Sequence, residues 1–146
     1  MLHLVDHDLP ILITKIQRQF HTKMCRLLLP YNITPDQFAI ITLLAHSSEG
    51  LTPTNLAQTL EKDKPTTIRL LEKIENKKLI YRLPSPTDKR SYLLFLTDEG
   101  HALVKLLDDI IVPKGKAIIK LALTGFDEKQ VAELRQMLNA IQKNLK

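Results

Sequence analysis

Leu12, Ile16, Phe20, Met24 and Leu28 recur at every fourth position near the start of the chain, and Leu9, Ile13 and Leu27 widen the same stripe. Apolar residues returning at that interval predict an amphipathic helix rather than a strand. Asp8 supplies an N-cap, Pro10 fits the first turn, and Pro30 predicts the stop after Leu29. A stripe this broad needs a large apolar surface opposite it, in the same chain or in a second copy.

Thr34-Pro35-Asp36-Gln37 has the form of a capping box with proline in the first turn, so a second helix starts there and turns Phe38, Ile41, Leu44 and Ala45 inward. Ser47-Ser48-Glu49-Gly50 breaks it. Thr52-Pro53 repeats the cap-then-proline signal for a third helix to about Leu60, with Leu56, Ala57 and Leu60 on its inner side. After Glu61 and Lys62, Asp63 caps a fourth helix, with Pro65 in its first turn. Thr67, Leu70, Leu71 and Ile74 form its apolar side, which leaves Lys64, Pro65, Ile68, Arg69 and Lys73 opposite. Two short helices joined this tightly predict a helix-turn-helix whose second helix is offered outward.

From Leu79 the period changes. Ile80 to Leu83 and Ser91 to Leu96 favour strands, and Pro84-Ser85-Pro86-Thr87-Asp88-Lys89-Arg90 between them is rich in turn residues. The pattern predicts a β-hairpin with a long, partly basic tip. Thr97 caps a further helix to about Leu123, in which Pro113 predicts a kink or a break. Asp127 with Gln130 is another capping box, opening a last helix to about Asn144 with Val131, Leu134, Leu138, Ile141 and Leu145 on one stripe. The fold expected is mainly α with a small β-hairpin wing. Residues 33–97 are expected to form a winged helix-turn-helix, and residues 1–32 and 98–146 a helical region.

Charge changes the picture because it is uneven. The net charge is +5, and residues 62–90 alone hold nine basic groups against four acidic ones. An excess confined to one segment suggests a face for a polyanion, and the fourth helix combines Lys and Arg with short side chains that let it enter a DNA major groove. Cys25 is the only cysteine, which excludes an intrachain disulfide framework and fits a reducing compartment, the cytoplasm by default. No apolar run approaches the ~20 residues that span a bilayer. Gly-rich phosphate loops and nucleophile motifs are absent from the sequence, so neither an enzyme nor a cofactor is expected.

The element order, together with Leu56-Ala57, Lys64 to Leu71, Leu79-Ile80, Asp88-Lys89-Arg90 and Leu96-Thr97-Asp98-Glu99-Gly100, resembles the MarR family, the multiple-antibiotic-resistance type of winged-helix transcription regulator. The resemblance implies a homodimer bound to double-stranded DNA, with interlocked terminal helices and with residues 1–32 and 98–146 as its dimerisation region. It places Arg69 as the groove-reading arginine, with Pro65 and Thr66 beside it. Arg90 matches the wing-tip arginine for the minor groove, and Asp88 the acid that orients it. Lys64, Ile68, Lys73 and Lys89 complete the expected DNA-facing set. The resemblance also implies a repressor governed by a small aromatic or phenolic effector, in a pocket to which Phe20, Tyr31 and Phe38 would contribute. One departure stands out. Lys78 occupies a position just past the recognition helix where the family often has glycine.

Plainer readings compete with several of these. Glu72 and Glu75 read as ordinary helix-face acids, since two carboxylates without a pocket make no acid/base pair. Cys25 reads as structural filler, although a redox-sensing regulator would use such a thiol. His3 and His7 have a metal-capable i, i+4 spacing at a terminus, which keeps a metal sensor as an alternative, but no metal site is expected. A winged-helix module for protein or RNA is the remaining alternative.

Overall fold

The computed structural model describes the backbone of residues 5–146 and the side chains from residue 8 onward. Its elements follow the order α1 (Val5–Leu28), a 3-10 turn (Leu29–Tyr31), α2 (Pro35–Ala45), α3 (Pro53–Leu60), α4 (Lys64–Asn76), β1 (Ile80–Pro84), β2 (Tyr92–Leu96), α5 (Asp98–Ala122) and α6 (Glu128–Asn144).

The caps read from the sequence start these helices as expected. Thr34 and Gln37 exchange both bonds of a capping box at α2, Thr52 and Asn55 do so at α3, and Asp127 and Gln130 at α6. Asp8 does not cap α1, because the helix already runs from Val5. Pro10 is therefore the sixth residue of α1. The carbonyl it leaves unpaired lies four residues earlier, in the first turn, where a missing bond costs little. Pro113 does not break α5, which continues through it as one helix of 25 residues. A proline removes a single ladder bond, and the buried side chains before it, Val104, Leu107 and Ile111, hold that stretch against the core. His3 lies outside the described residues. Among those described, no cluster of three or more metal-ligating side chains occurs, and no helix is long and apolar enough to cross a membrane.

The core sits where α2 packs between α1, α4, α5 and the wing. Leu28, Ile40, Ile41, Leu56, Leu71, Ile74, Leu94, Leu107 and Ile111 are almost wholly withdrawn from water. Each such side chain contributes roughly 1.5–3 kcal/mol by its burial. The two strands pair antiparallel from Ile80 with Leu96 to Pro84 with Tyr92. Leu51, between α2 and α3, adds a bridge to Leu94 through Leu51 N–H to Leu94 O (3.3 Å) and Leu94 N–H to Leu51 O (2.9 Å). That third edge had no signal in the sequence, since one residue is too short for a strand pattern.

The ends of the chain are different. From Asp8 to Gln19 every residue of α1 is exposed, and along α6 only Val131 is even partly covered.

Candidate nucleic-acid interface

The recognition helix α4 begins at Asp63. Its Oδ1 accepts the Thr66 N–H at 2.8 Å and its Oδ2 the Thr66 hydroxyl at 2.7 Å. These two bonds hold the Asp63 carboxyl below its usual range; the hydrogen bond from the Thr66 backbone is the main cause. Arg69 Nη2 lies 3.5 Å from Thr66 Oγ1, so its side chain leans back toward the start of the helix. On the inner side Thr67 is fully buried and donates to the Asp63 carbonyl at 3.0 Å, and Leu71 and Ile74 enter the core. Burying that side turns Lys64, Pro65, Arg69 and Lys73 out to solvent, with Thr66 and Ile68 half-exposed beside them.

At its far end α4 closes on a lysine in a conformation that suits glycine. Lys78 has φ +60°; its N–H donates to Glu75 O (2.8 Å) and the next N–H, of Leu79, to Ile74 O (3.3 Å). This is a Schellman closure, with Leu79 packed beside Ile74 in the buried cluster. The helix thus ends early, at Asn76, and Lys78 also takes the left-handed conformation. Thr97 holds the strained turn from the other side. Its hydroxyl donates to Lys78 O (2.7 Å), its N–H donates to Leu79 O (3.0 Å), and its Oγ1 caps α5 by accepting the Gly100 N–H (3.0 Å). A Cβ on Gly100 would stand 2.2 Å from the Leu79 carbonyl oxygen, so only glycine lets α5 start this close.

The wing is fastened to α4 by Arg82. Its Nη2 and Nε donate to Glu75 Oε2 at 2.6 and 3.1 Å, and its guanidinium lies 4.4 Å from the centre of the Tyr92 ring. The bond to Glu75 raises the Arg82 pKa above its ordinary value. Glu75 is therefore more than a solvated helix-face acid, a role that spacing could not reveal across the helix-to-strand boundary. At the tip, Asp88 Oδ1 accepts the backbone N–H of Arg90 at 2.9 Å, and Asp88 O accepts the Ser91 N–H at 3.1 Å. Asp88 thus shapes the turn; among the described residues it forms no ion pair with the Arg90 guanidinium, contrary to the expected side-chain contact. Lys64, Arg69, Lys73, Lys89 and Arg90 are all exposed, and among the described residues none makes an ion pair.

Phe20, Tyr31 and Phe38 are half-buried. Tyr31 and Phe38 pack against the core. Two shallow depressions, one by Phe126, Val131 and Arg135 and one by Arg18, Thr22 and Arg26, include none of the three.

Comparison with known proteins agrees with this geometry along the chain. The profile of the MarR family matches residues 31–91, from the end of the 3-10 turn to the wing tip. The HTH-type transcriptional regulator MhqR of Bacillus subtilis is 26% identical over 136 residues, 93% of this chain and 90% of its own. The crystal structure of the S. aureus MepR-DNA complex superposes with a TM-score of 0.83 at 26% identity, covering 92% of this chain and 96% of that one. Residues 31–91 match the MarR family, and the fold as a whole is similar to that of solved MarR and MepR proteins. A mutant MarR from E. coli complexed with operator DNA is similar over 94% of this chain and 97% of its own, with a TM-score of 0.82 and 25% identity. The chain is a DNA-binding transcriptional regulator with a winged helix-turn-helix.

Proposed function

We propose that two copies of the chain pair through α1, the end of α5 and α6, and that the pair binds a pseudo-palindromic operator as a cytoplasmic repressor. The exposed aliphatic stripes carry this reading. Leu9, Leu12, Ile13 and Ile16 on α1, and Leu134, Leu138 and Ile141 on α6, keep more than a third of their surface in water, which a solitary chain rarely leaves in rows. Relatives of this size and fold are described in complex with DNA, which supports placing α4 in the major groove. A two-fold axis then sets the two α4 helices in successive grooves about 34–36 Å apart. Residues 1–32 and 98–146 serve pairing in this reading, and 33–97 serve the DNA.

Arg69 reads base edges, with Pro65, Thr66 and Ile68 at close approach. Lys64, Lys73 and Lys89 contact phosphates, and Arg90 enters the minor groove beside the turn that Asp88 holds. Occupying a promoter in this way blocks it. Half-buried Phe20, Tyr31 and Phe38 would line a cavity completed by the second copy, for a small aromatic or phenolic acid that prefers one spacing of the two reading helices. A gel shift on the operator selected from random duplexes tests the core of this. Arg69→Ala should lose ~1–3 kcal/mol per half-site and relax sequence preference, because a base contact is removed. Equal losses on all sequences would show that Arg69 does not read bases.

A further inference from the structure

The far end of the recognition helix is tied to the start of the reading lobe by one side chain. Lys77, the C-cap of α4, donates from its ammonium to the main-chain oxygen of Asn32 and to Gln37 Oε1 at 2.8 Å. Both acceptors are fixed. Asn32 sits in the left-handed conformation that ends the 3-10 turn, its own N–H bonded to Leu29 O at 3.1 Å. Gln37 is 3% exposed, and its Oε1 already accepts the Thr34 N–H of the α2 capping box at 3.2 Å. Among the described residues, these are the only side-chain hydrogen bonds between α4 and the connection from α1 to α2. The other α4 side-chain bond that leaves the helix, from Glu75, goes to the wing.

Leu71 and Ile74 also hold α4, but aliphatic contact is non-directional and tolerates small rotations of a helix. Hydrogen bonds to two anchored oxygens do not. From this geometry we infer that Lys77 is a positioning residue for DNA binding: it fixes the angle of the recognition helix relative to α1, and with it the half-site spacing that a pair of copies accepts. The inference rests on the two-copy reading above. Burial, and then the charge of Lys73, lower the pKa of Lys77, in keeping with an ammonium turned away from water. An ammonium engaged inward is not a phosphate contact, so its removal should leave the salt dependence of binding unchanged.

The test uses the full chain and the selected operator, alongside duplexes whose half-sites are moved apart or together by one base pair. Lys77→Met keeps the aliphatic stem and removes the donors. It should reduce the preference for the native spacing at least tenfold, with the slope of affinity against salt unaltered, and Lys77→Arg, which can still donate to both oxygens, should restore the preference. Should the Met variant fail to fold, Lys77→Ala makes the same test, since the site lies at the end of a helix. Native spacing preference in a folded Lys77→Met or Lys77→Ala protein overturns the inference, as does a salt slope reduced by about one ion per subunit. Wild-type protein that is indifferent to spacing would remove the two-copy reading itself, a result visible before any variant is made.

Discussion

Leu71 and Ile74 on α4 keep 1% and 0% of their surface in water, while Leu12 and Ile16 on α1 keep 53% and 43%. All four sit on helical stripes of similar spacing, so periodicity alone would treat them alike. The difference lies in what surrounds them. The reading lobe closes on itself through α2, Leu51, the wing and the first half of α5, and its polar groups find partners close by. Thr66 and Thr67 bond back to Asp63, Thr97 to Lys78, Arg82 to Glu75. Among the described residues, α1 from Asp8 to Gln19 and nearly all of α6 find no such cover in their own chain. One region is complete within a single chain; the other, in the pairing proposed above, is half of an interface.

The largest effect should come from attacking the open region. Ile16→Glu with Leu138→Glu places charges on both stripes, each met by its counterpart in a second copy. Desolvating them is unfavourable enough to separate the pair. Sedimentation should then report a monomer of 16.7 kDa with unchanged helix content. Its affinity for the full operator should fall by about 10²–10⁴, the usual gain from linking two sites. A variant that stayed paired would mean that the stripes are covered by something else.

The closed region has its own weak point at Gly100. Adding one methyl there sets a carbon 2.2 Å from the Leu79 carbonyl oxygen, and that atom belongs to backbone already held by Thr97. Gly100→Ala should destabilise the fold by about 3 kcal/mol, the upper part of the range for overpacking. Denaturant unfolding would check this. Pairing should survive in the fraction still folded, because α1 and α6 are untouched, and that sharpens the contrast between the regions.

How much of this could be read beforehand follows the same division. The caps at Thr34, Thr52, Asp63, Thr97 and Asp127 were legible because each is a local exchange over three residues. The basic face of α4 was legible because its opposite face is apolar. Gln37 and Lys77 were not, since their partnership spans 40 residues and a buried glutamine looks like any other polar position on α2. Glu61, at φ +53°, had no signal either: a glutamate in the left-handed turn between α3 and α4 is neither glycine nor asparagine. Asp8 misled because a cap signal four residues inside a helix is chemically identical to one at its start.

Lys78 offers a smaller effect of opposite sign. Side chains other than glycine are disfavoured by roughly 1–2 kcal/mol in the left-handed conformation, partly offset by the extra freedom glycine has when unfolded. Lys78→Gly should therefore stabilise the reading lobe by about 1 kcal/mol while leaving the terminal helices as they are. A denaturant midpoint that moves up with an unchanged slope would confirm it. A midpoint that does not move would mean that the Lys78 side chain makes a compensating contact.

The smallest effect is also the most specific, because it turns on a single carboxylate of the closed region. Asp63 is fully exposed, and its pKa lies below the ordinary carboxylate range because Thr66 donates to it twice. A carboxyl whose pKa is depressed by folding stabilises the native state above its unfolded pKa, and it loses that contribution as pH falls through the lowered folded value. The melting temperature of Asp63→Ala should then lie below wild type by a constant interval from neutral pH down to about 4, and the interval should close in more acid solution. Asp63→Asn keeps an oxygen that can accept the Thr66 N–H but has no proton to gain. Its interval from wild type should be smaller at neutral pH, and its interval from Asp63→Ala should not vary with pH. If the Ala interval persisted unchanged well below pH 3, the charge of Asp63 would be irrelevant to the start of α4, and the cap would act through its geometry alone.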